Sequence, residues 1–128
     1  MANQSSARLK GDDYQHLISW LYILSLKRPS HKVGLVKIED ADAGLVDDVT
    51  VYKNTTPKSV DFYQIKYHVD QRKQYSIETL LDTSAGTSLM TKFWQTWKTV
   101  AGNFGKENVR LHLYSNWLID SNCAVLLC

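Results

Sequence analysis

Two alternating runs joined by a short polar segment constrain the fold more than any other part of the sequence. The runs "LVDDVTVYK" (45–53) and "VDFYQIKYHV" (60–69) place apolar residues at roughly every second position, which is the pattern of a β-strand. The connecting segment "NTTPKS" has the composition of a turn. We therefore predict that the two runs form a β-hairpin.

The second run carries two polar residues that an ordinary buried strand would not contain. Gln64 and Lys66 lie two positions apart, so their side chains share one face of the strand. Burying an amide beside an ammonium group is costly unless both are needed there. This face therefore either points into solvent, with the lysine protecting an exposed sheet edge, or it lines a functional site.

The predicted hairpin brings an acidic residue to the same place. If the turn is centred on residues 56 and 57, cross-strand pairing puts Asp48 within about one residue of Ile65. Glu39, at the end of the preceding predicted strand "HKVGLVKIED", joins the group if that strand is the next neighbour in the sheet. Carboxylate and amide oxygens are ligands that suit Mg²⁺, and a lysine beside them can offset charge on a phosphoryl oxygen.

Each of these acidic residues also has a simpler explanation. Asp47 and Asp48 can start a strand after a polar turn, and Glu39 can be an exposed strand end. The residues alone do not decide between Asp47 and Asp48 as the metal ligand.

The remaining segments predict helices around these strands. The segment "GDDYQHLISWLYILSLKRP" predicts a helix with Asp12 as its N-cap and Gln15 completing a capping box. We expect this helix to be mostly buried through an apolar stripe formed by Leu17, Ile18, Leu21 and Leu24 and widened by Trp20 and Ile23.

Further along the chain, Ser76 is the expected cap of a short helix that ends at Leu81. A second long helix is predicted from Leu89 to Gly102, and "NVRLHLYSN" is a fourth strand. The order of helix, three strands, helices and strand predicts an α/β fold with a mixed sheet flanked by helices.

Length and composition limit the classes of protein to which the chain can belong. A chain of 128 residues fits one domain, 1–128, with a sizeable core. Lys and Arg number 15 against 13 Asp and Glu, so any nucleic-acid binding must use local patches. The strongest local patch is "DQRKQY", with Arg72 and Lys73. Two cysteines are too few for a disulfide framework or a zinc site, which indicates a reducing compartment.

The two ends of the chain give further expectations. The N-terminal segment has no apolar core of a signal peptide, and no apolar run is long enough to cross a membrane. We therefore expect a cytoplasmic protein without a membrane partner. The C-terminal segment "NCAVLLC" is unusually apolar, so we expect the chain to be the N-terminal part of a longer protein or a shortened relative of one.

The succession of these residues resembles a known superfamily. "IEDADAGLVDDVTVYK" followed by "YQIKYH" resembles the acid, Asp and (Asp/Glu/Gln)-x-Lys pattern of the PD-(D/E)XK nucleases, which have the restriction-endonuclease-like fold. The segments "GDDYQHL" and "LYSNW" make the chain similar to the double-strand DNA nuclease domain at the N-terminus of CD-NTase-associated effectors in bacterial antiphage (CBASS) systems. The resemblance extends from Gly11 to about Trp117.

This resemblance implies a function and roles for individual residues. It implies a Mg²⁺-dependent endonuclease, with Mn²⁺ as a possible substitute, that hydrolyses phosphodiester bonds of double-stranded DNA with little sequence preference. The implied catalytic residues are Asp48, Gln64, Lys66 and Glu39, of which Asp48, Glu39 and Gln64 bind the metal; Gln15, Asp47 and His68 are accessory, and Arg72 and Lys73 bind DNA. In longer relatives a C-terminal sensor module governs oligomerisation and activity.

Two alternatives remain at this point. The chain can be a catalytically silent nuclease-like fold that binds nucleic acid or a protein partner. His68 can be an ordinary, partly exposed histidine near a strand end, and Gln15 can act only in helix capping.

Overall fold

The computed structural model describes residues 2–39, 46, 48–69, 73–84 and 86–121. The predictions for Asp47, Arg72 and the C-terminal segment 122–128 concern residues outside these ranges. The helices are α1 (Ala2–Ser25), α2 (Ile77–Leu81) and α3 (Leu89–Phe104). The strands are β1 (Val33–Ile38), β2 (Val49–Lys53), β3 (Ser59–Lys66), β4 (Gln74–Tyr75), β5 (Val109–Ser115) and β6 (Leu118–Ile119).

The main sheet of the described ranges has four strands in the order β1-β2-β3-β5. The pairs β1/β2 and β2/β3 are antiparallel, whereas β3 and β5 are parallel. The predicted hairpin is confirmed, with Val49 opposite Tyr63 and Lys53 opposite Ser59. The predicted mixed α/β sheet is confirmed as well. A small parallel sheet of β4 and β6 was not predicted, because two-residue strands have no periodicity to detect.

One face of the main sheet packs against α1. Val49, Val51 and Ile65 are buried on this face together with Ile18 of α1. Residues that alternate with them along β2 and β3 must point to the other face.

The other face of the main sheet packs against α3. Val60 and Phe62 are buried there with Val100 of α3. Gln64 and Lys66 continue the same alternation, so both side chains lie on the α3 face of the sheet.

The helix α1 differs from its prediction at its N-terminus. It begins at Ala2, and Asp12 is an exposed residue inside it. The N-cap role of Asp12 and the capping-box role of Gln15 are therefore wrong. No proline precedes Asp12 within the helix, and helix propagation is cooperative once a turn has formed, so the helix continues through a sequence that resembled a start signal.

The buried face of α1 also differs from its prediction. Leu17 is 67% exposed, Leu21 is 56% exposed and Trp20 is 58% exposed, whereas Ile18 is buried. Tyr14 and Tyr22 pack beside Ile18 against the sheet instead, because residues at i, i+4 and i+8 follow one line along a helix. Periodicity identified the helix but not which of two neighbouring stripes meets the sheet.

The predictions for α2 and α3 are confirmed. Ser76 caps α2 by accepting a hydrogen bond from the backbone N–H of Thr79. Ser88 caps α3 in the same way through Thr91. The helix α3 ends at Phe104, two residues later than predicted, and its C-cap is Gly105, whose φ of 88° favours glycine.

The strand β1 forms one edge of the main sheet. Its register against β2 shifts between Val33 and Leu35, which is a β-bulge. Gly34 lies at the bulge, and a Cβ atom there would stand 2.5 Å from Oδ1 of Asn54. A larger residue at position 34 would have to displace the side-chain amide of Asn54.

A membrane-spanning helix was not expected from the sequence. Within the described ranges, none of the helices has the length and apolar character needed to cross a membrane.

Candidate functional site

Asp48 connects the ends of the two central strands. Its Oδ2 accepts a hydrogen bond of 2.8 Å from Nε2 of Gln64 and another of 2.7 Å from the backbone N–H of Ile65. Hydrogen bonds to a carboxylate are stronger than those between neutral groups. The structure therefore brings Asp48 and Gln64 together, at the position that the hairpin register predicted.

Gln64 brings a buried oxygen atom to this place. The residue is 6% exposed, and its Oε1 is buried without a hydrogen bond among the described residues. Oγ1 of Thr50 is also buried without a hydrogen bond among the described residues. Alternation along β2 puts the side chain of Thr50 on the α3 face of the sheet as well. A buried oxygen that lacks a partner is costly, and it points to a bound water or cation.

Lys66 is half-buried at the end of β3. Burial is the main cause that lowers the pKa of its ammonium group, and the positive charge of Lys92 lowers the pKa further, whereas Asp48 opposes both effects. The contribution of Asp48 indicates that its carboxylate is close enough to the Lys66 ammonium group for the two charges to interact. Such a lysine can donate hydrogen bonds to an anion, and burial strengthens the interaction.

Glu39 lies next to Asp48 through the backbone. Its N–H donates a 3.1 Å hydrogen bond to the carbonyl oxygen of Asp48, and β1 is the neighbour of β2, as the prediction for Glu39 required. Glu39 has a φ of 53°, a left-handed conformation that is uncommon outside glycine. Its side chain is exposed.

The donor set fits Mg²⁺ better than a metal held by several protein ligands. No group of three or more His, Cys, Asp and Glu residues that could hold a metal occurs within the described ranges. Mg²⁺ keeps several waters and needs only one or two carboxylates and other oxygens. The carboxylate of Asp48 and the amide oxygen of Gln64 are oxygens of this kind, and Glu39 adjoins Asp48 through its backbone.

His68 is engaged in a packed cluster next to the site. Its ring stacks on Trp117 with a centroid distance of 3.5 Å, and its Nε2 lies 2.7 Å from the hydroxyl of Tyr75. That hydroxyl also lies 3.3 Å from Oγ of Ser115. Burial, followed by the charge of Lys66, lowers the pKa of His68, which favours the neutral ring.

Two other predicted residues lie on elements outside β2 and β3. Gln15 is on α1, which packs against the opposite face of the sheet. Lys73 is exposed before β4. Hydrogen bonds from Ser84 are the main cause that lowers the pKa of Asp82, and Lys73 adds a smaller contribution. The positive charge of Lys73 therefore interacts with Asp82, the residue that follows α2.

Lys92 is the residue near the site that we did not single out in the sequence. It lies in the first turn of α3, is half-buried, and its charge acts on Lys66. Lys92 precedes the buried Thr96 by four positions and so shares its helix face, a placement that depends on the structure.

A second charged cluster lies toward the other end of the sheet, on the α1 face. Oδ1 of the buried Asp61 is 3.0 Å from Nε2 of His112, and its Oδ2 is 3.2 Å from Nζ of Lys53. Burial alone would raise the pKa of Asp61, but the hydrogen bonds and charges of His112 and Lys53 outweigh it and lower the pKa.

The Asp61 cluster leads to a prediction about acid stability. Because the folded-state pKa of Asp61 is below its ordinary value of 3.8, the stabilisation is complete above that value and is lost as the pH falls through the folded pKa. We expect Asp61→Asn to lower the free energy of unfolding at pH 7 by about 1–3 kcal/mol. We also expect the free energy of unfolding of this variant to decrease less than that of the wild type as the pH falls. Urea unfolding between pH 2.5 and 7 measures both, with Asp13→Asn as a control for the loss of one negative charge. An unchanged acid decline would contradict the prediction.

The fold and the site together define a mixed α/β domain with a carboxylate, a buried amide and a half-buried lysine at one end of its central strands. The chain is similar to CD-NTase-associated protein 4 of Enterobacter hormaechei subsp. hoffmannii (strain UCI 50). The two sequences are 29% identical over 90 residues, which cover 64% of this chain but 18% of that protein. No family model matches the chain, and no solved structure matches it.

Proposed function

We propose that this chain is a metal-dependent endonuclease domain of the PD-(D/E)XK type that hydrolyses phosphodiester bonds of double-stranded DNA in antiphage defence. The observation that carries the proposal is the pairing of Asp48 with Gln64 beside the half-buried Lys66, with the buried Oε1 of Gln64 unbonded among the residues that the structure describes. The order of these residues in the sequence supports it. The name of the similar CD-NTase-associated protein supports the defence role.

Each residue has a definite task in this proposal. Asp48, Gln64 and Glu39 would hold Mg²⁺ through their oxygens, and Mn²⁺ could replace it. The bound ion would supply Lewis-acid stabilisation of the charge that develops on the phosphoryl oxygens. Lys66 donates hydrogen bonds to the attacking water and to a phosphate oxygen, and thereby orients the two reacting groups.

The competing function is a silent nuclease-like fold that binds nucleic acid or a protein. One observation favours it: Oδ2 of Asp48 already accepts two hydrogen bonds that join β2 to β3, so the residue has a structural role without any metal. Metal binding separates the two functions.

The experiment is plasmid cleavage by the purified chain with Mg²⁺, with Mn²⁺ and with EDTA. A fusion of the chain to a dimeric coiled coil is assayed in parallel, so that a requirement for association does not hide activity. We expect cleavage with either metal and none with EDTA. Absence of cleavage by both forms, together with no Mg²⁺ or Mn²⁺ binding by calorimetry, would contradict the nuclease proposal and favour the silent fold.

The amide at position 64 leads to a prediction about metal affinity. Gln64→Glu places a second carboxylate against Asp48, where like charges repel until a cation binds. We expect the variant to be less stable than the wild type without metal and to bind Mg²⁺ about tenfold more tightly. The rise in melting temperature on adding Mg²⁺ measures this.

The matched control for that prediction is Gln95→Glu, which adds a carboxylate to an exposed position of α3. We expect it to behave like the wild type. A Gln64→Glu variant with no larger response to Mg²⁺ than this control would show that position 64 does not face the ion.

A further inference from the structure

The helix α3 is aligned along β2 by contacts at two places. The backbone N–H of Val46 donates a 3.1 Å hydrogen bond to Oγ1 of Thr96, and the ring of Phe104 lies 6.2 Å from that of Tyr52. The helix therefore runs in the same direction as β2, with its N-terminal half over the start of that strand, where Asp48 lies.

This alignment directs Lys92 to the candidate site. Lys92 is one helical turn before Thr96, so it shares the sheet-facing side of α3 and lies about 6 Å farther toward the helix N-terminus. Lys66 lies about 7 Å beyond Gln64 along β3, in the same direction. Both lysines therefore extend past the Asp48–Gln64 pair, one from the helix layer and one from the sheet.

The two lysines bring two positive charges to one end of the sheet. Lys66 and Lys92 are both half-buried. Within the described ranges, neither lysine forms an ion pair with a carboxylate. Two like charges that are half-buried and face each other raise the free energy of the folded state, and a bound anion would remove that cost.

We propose that Lys92 binds a backbone phosphate of DNA opposite Lys66, so that the two side chains hold the phosphate between the sheet and α3. The identity of the anion as a DNA phosphate rests on the proposed nuclease function. Lys92 is a substrate-binding residue in this arrangement and takes no part in proton transfer. A phosphate held from two sides is also fixed in orientation relative to Asp48 and Gln64.

The test measures binding of a duplex oligonucleotide by fluorescence anisotropy in EDTA at several salt concentrations. Removing one lysine that contacts a phosphate reduces the magnitude of the negative slope of log K against log salt by about 0.9 and weakens binding roughly eightfold at 0.1 M salt. We expect this result for Lys92→Gln, and wild-type binding for Lys92→Arg, which keeps the charge.

The matched control is Lys98→Gln on the same helix, because Nζ of Lys98 lies 5.5 Å from the ring centroid of the exposed Trp94. We expect wild-type affinity for this variant. The melting temperature of each variant verifies folding, and Lys92→Gln should melt no lower than the wild type because it removes a repulsion.

The binding assay separates this inference from the nuclease proposal, because it needs no cleavage. If the wild type does not cleave DNA but Lys92→Gln still weakens binding by the expected factor, Lys92 keeps its role and the nuclease proposal fails. If the wild type cleaves DNA and Lys92→Gln binds with unchanged affinity and salt slope, the inference about Lys92 is overturned alone. A wild-type chain that does not bind duplex DNA would overturn it as well.

Discussion

Asp48→Asn is expected to remove metal-dependent DNA cleavage while leaving the domain folded. One oxygen, Oδ2, accepts both hydrogen bonds, from Gln64 and from the backbone of Ile65, and an asparagine oxygen in the same position can accept both. What the variant loses is the negative charge that a cation requires. We expect cleavage to fall by at least about 100-fold, with a small change in stability.

The alanine variant at the same position shows the structural part of the role of Asp48. Asp48→Ala leaves the amide of Gln64 and the N–H of Ile65 without their acceptor, which should lower the free energy of unfolding by about 2–4 kcal/mol. Urea unfolding of both variants, next to plasmid cleavage with Mg²⁺, measures the two effects separately. Asp48→Asn with wild-type cleavage would exclude Asp48 as a metal ligand.

Lys66→Met is expected to produce the other large loss of activity. The methionine keeps much of the length and apolar surface of the lysine stem but can neither donate a hydrogen bond nor carry charge. Removal of a group that orients the attacking water and stabilises the transition state should lower cleavage by about 10²- to 10⁴-fold.

The same variant should become more stable without DNA and metal. Burial and Lys92 lower the pKa of Lys66, which means that folding disfavours its charged form at neutral pH. Loss of activity with an unchanged or raised free energy of unfolding is therefore the expected combination, and cleavage rates with urea unfolding measure it. Lys106→Met, an exposed lysine after the other end of α3, is the matched control and should retain activity. A Lys66→Met variant with the activity of this control would contradict the proposed role.

The pairing of Asp48 with Gln64 could be predicted from the sequence because it depends on two local rules. Alternation gave the face that each side chain occupies, and the position of the turn gave the register. The same reasoning predicted that Glu39 lies beside Asp48, on the condition that β1 is the neighbour of β2. The partnership of β3 with β5 allowed no such prediction, because a parallel pair is joined through a distant crossover and not through a turn.

The errors in α1 have a different physical cause. Asp12 has the chemistry of an N-cap, but capping chemistry only favours a start and does not prevent a helix from extending through it. The choice between the Leu17–Trp20–Leu21 side and the Tyr14–Ile18 side depends on packing against the sheet, which is tertiary information. Lys92 was missed for a related reason, since only the alignment of α3 along β2 shows that it faces Lys66.

The bulge in β1 has a consequence for how copies of this domain can meet. A regular, exposed edge strand offers its backbone hydrogen-bonding groups to a strand of another molecule, and this is a common route to aggregation. The register shift between Val33 and Leu35 interrupts that row of groups, and Asn54 packs against the bulge at Gly34. The sheet is thus protected from growing at this edge, and association there would have to involve side-chain surfaces instead of added strands.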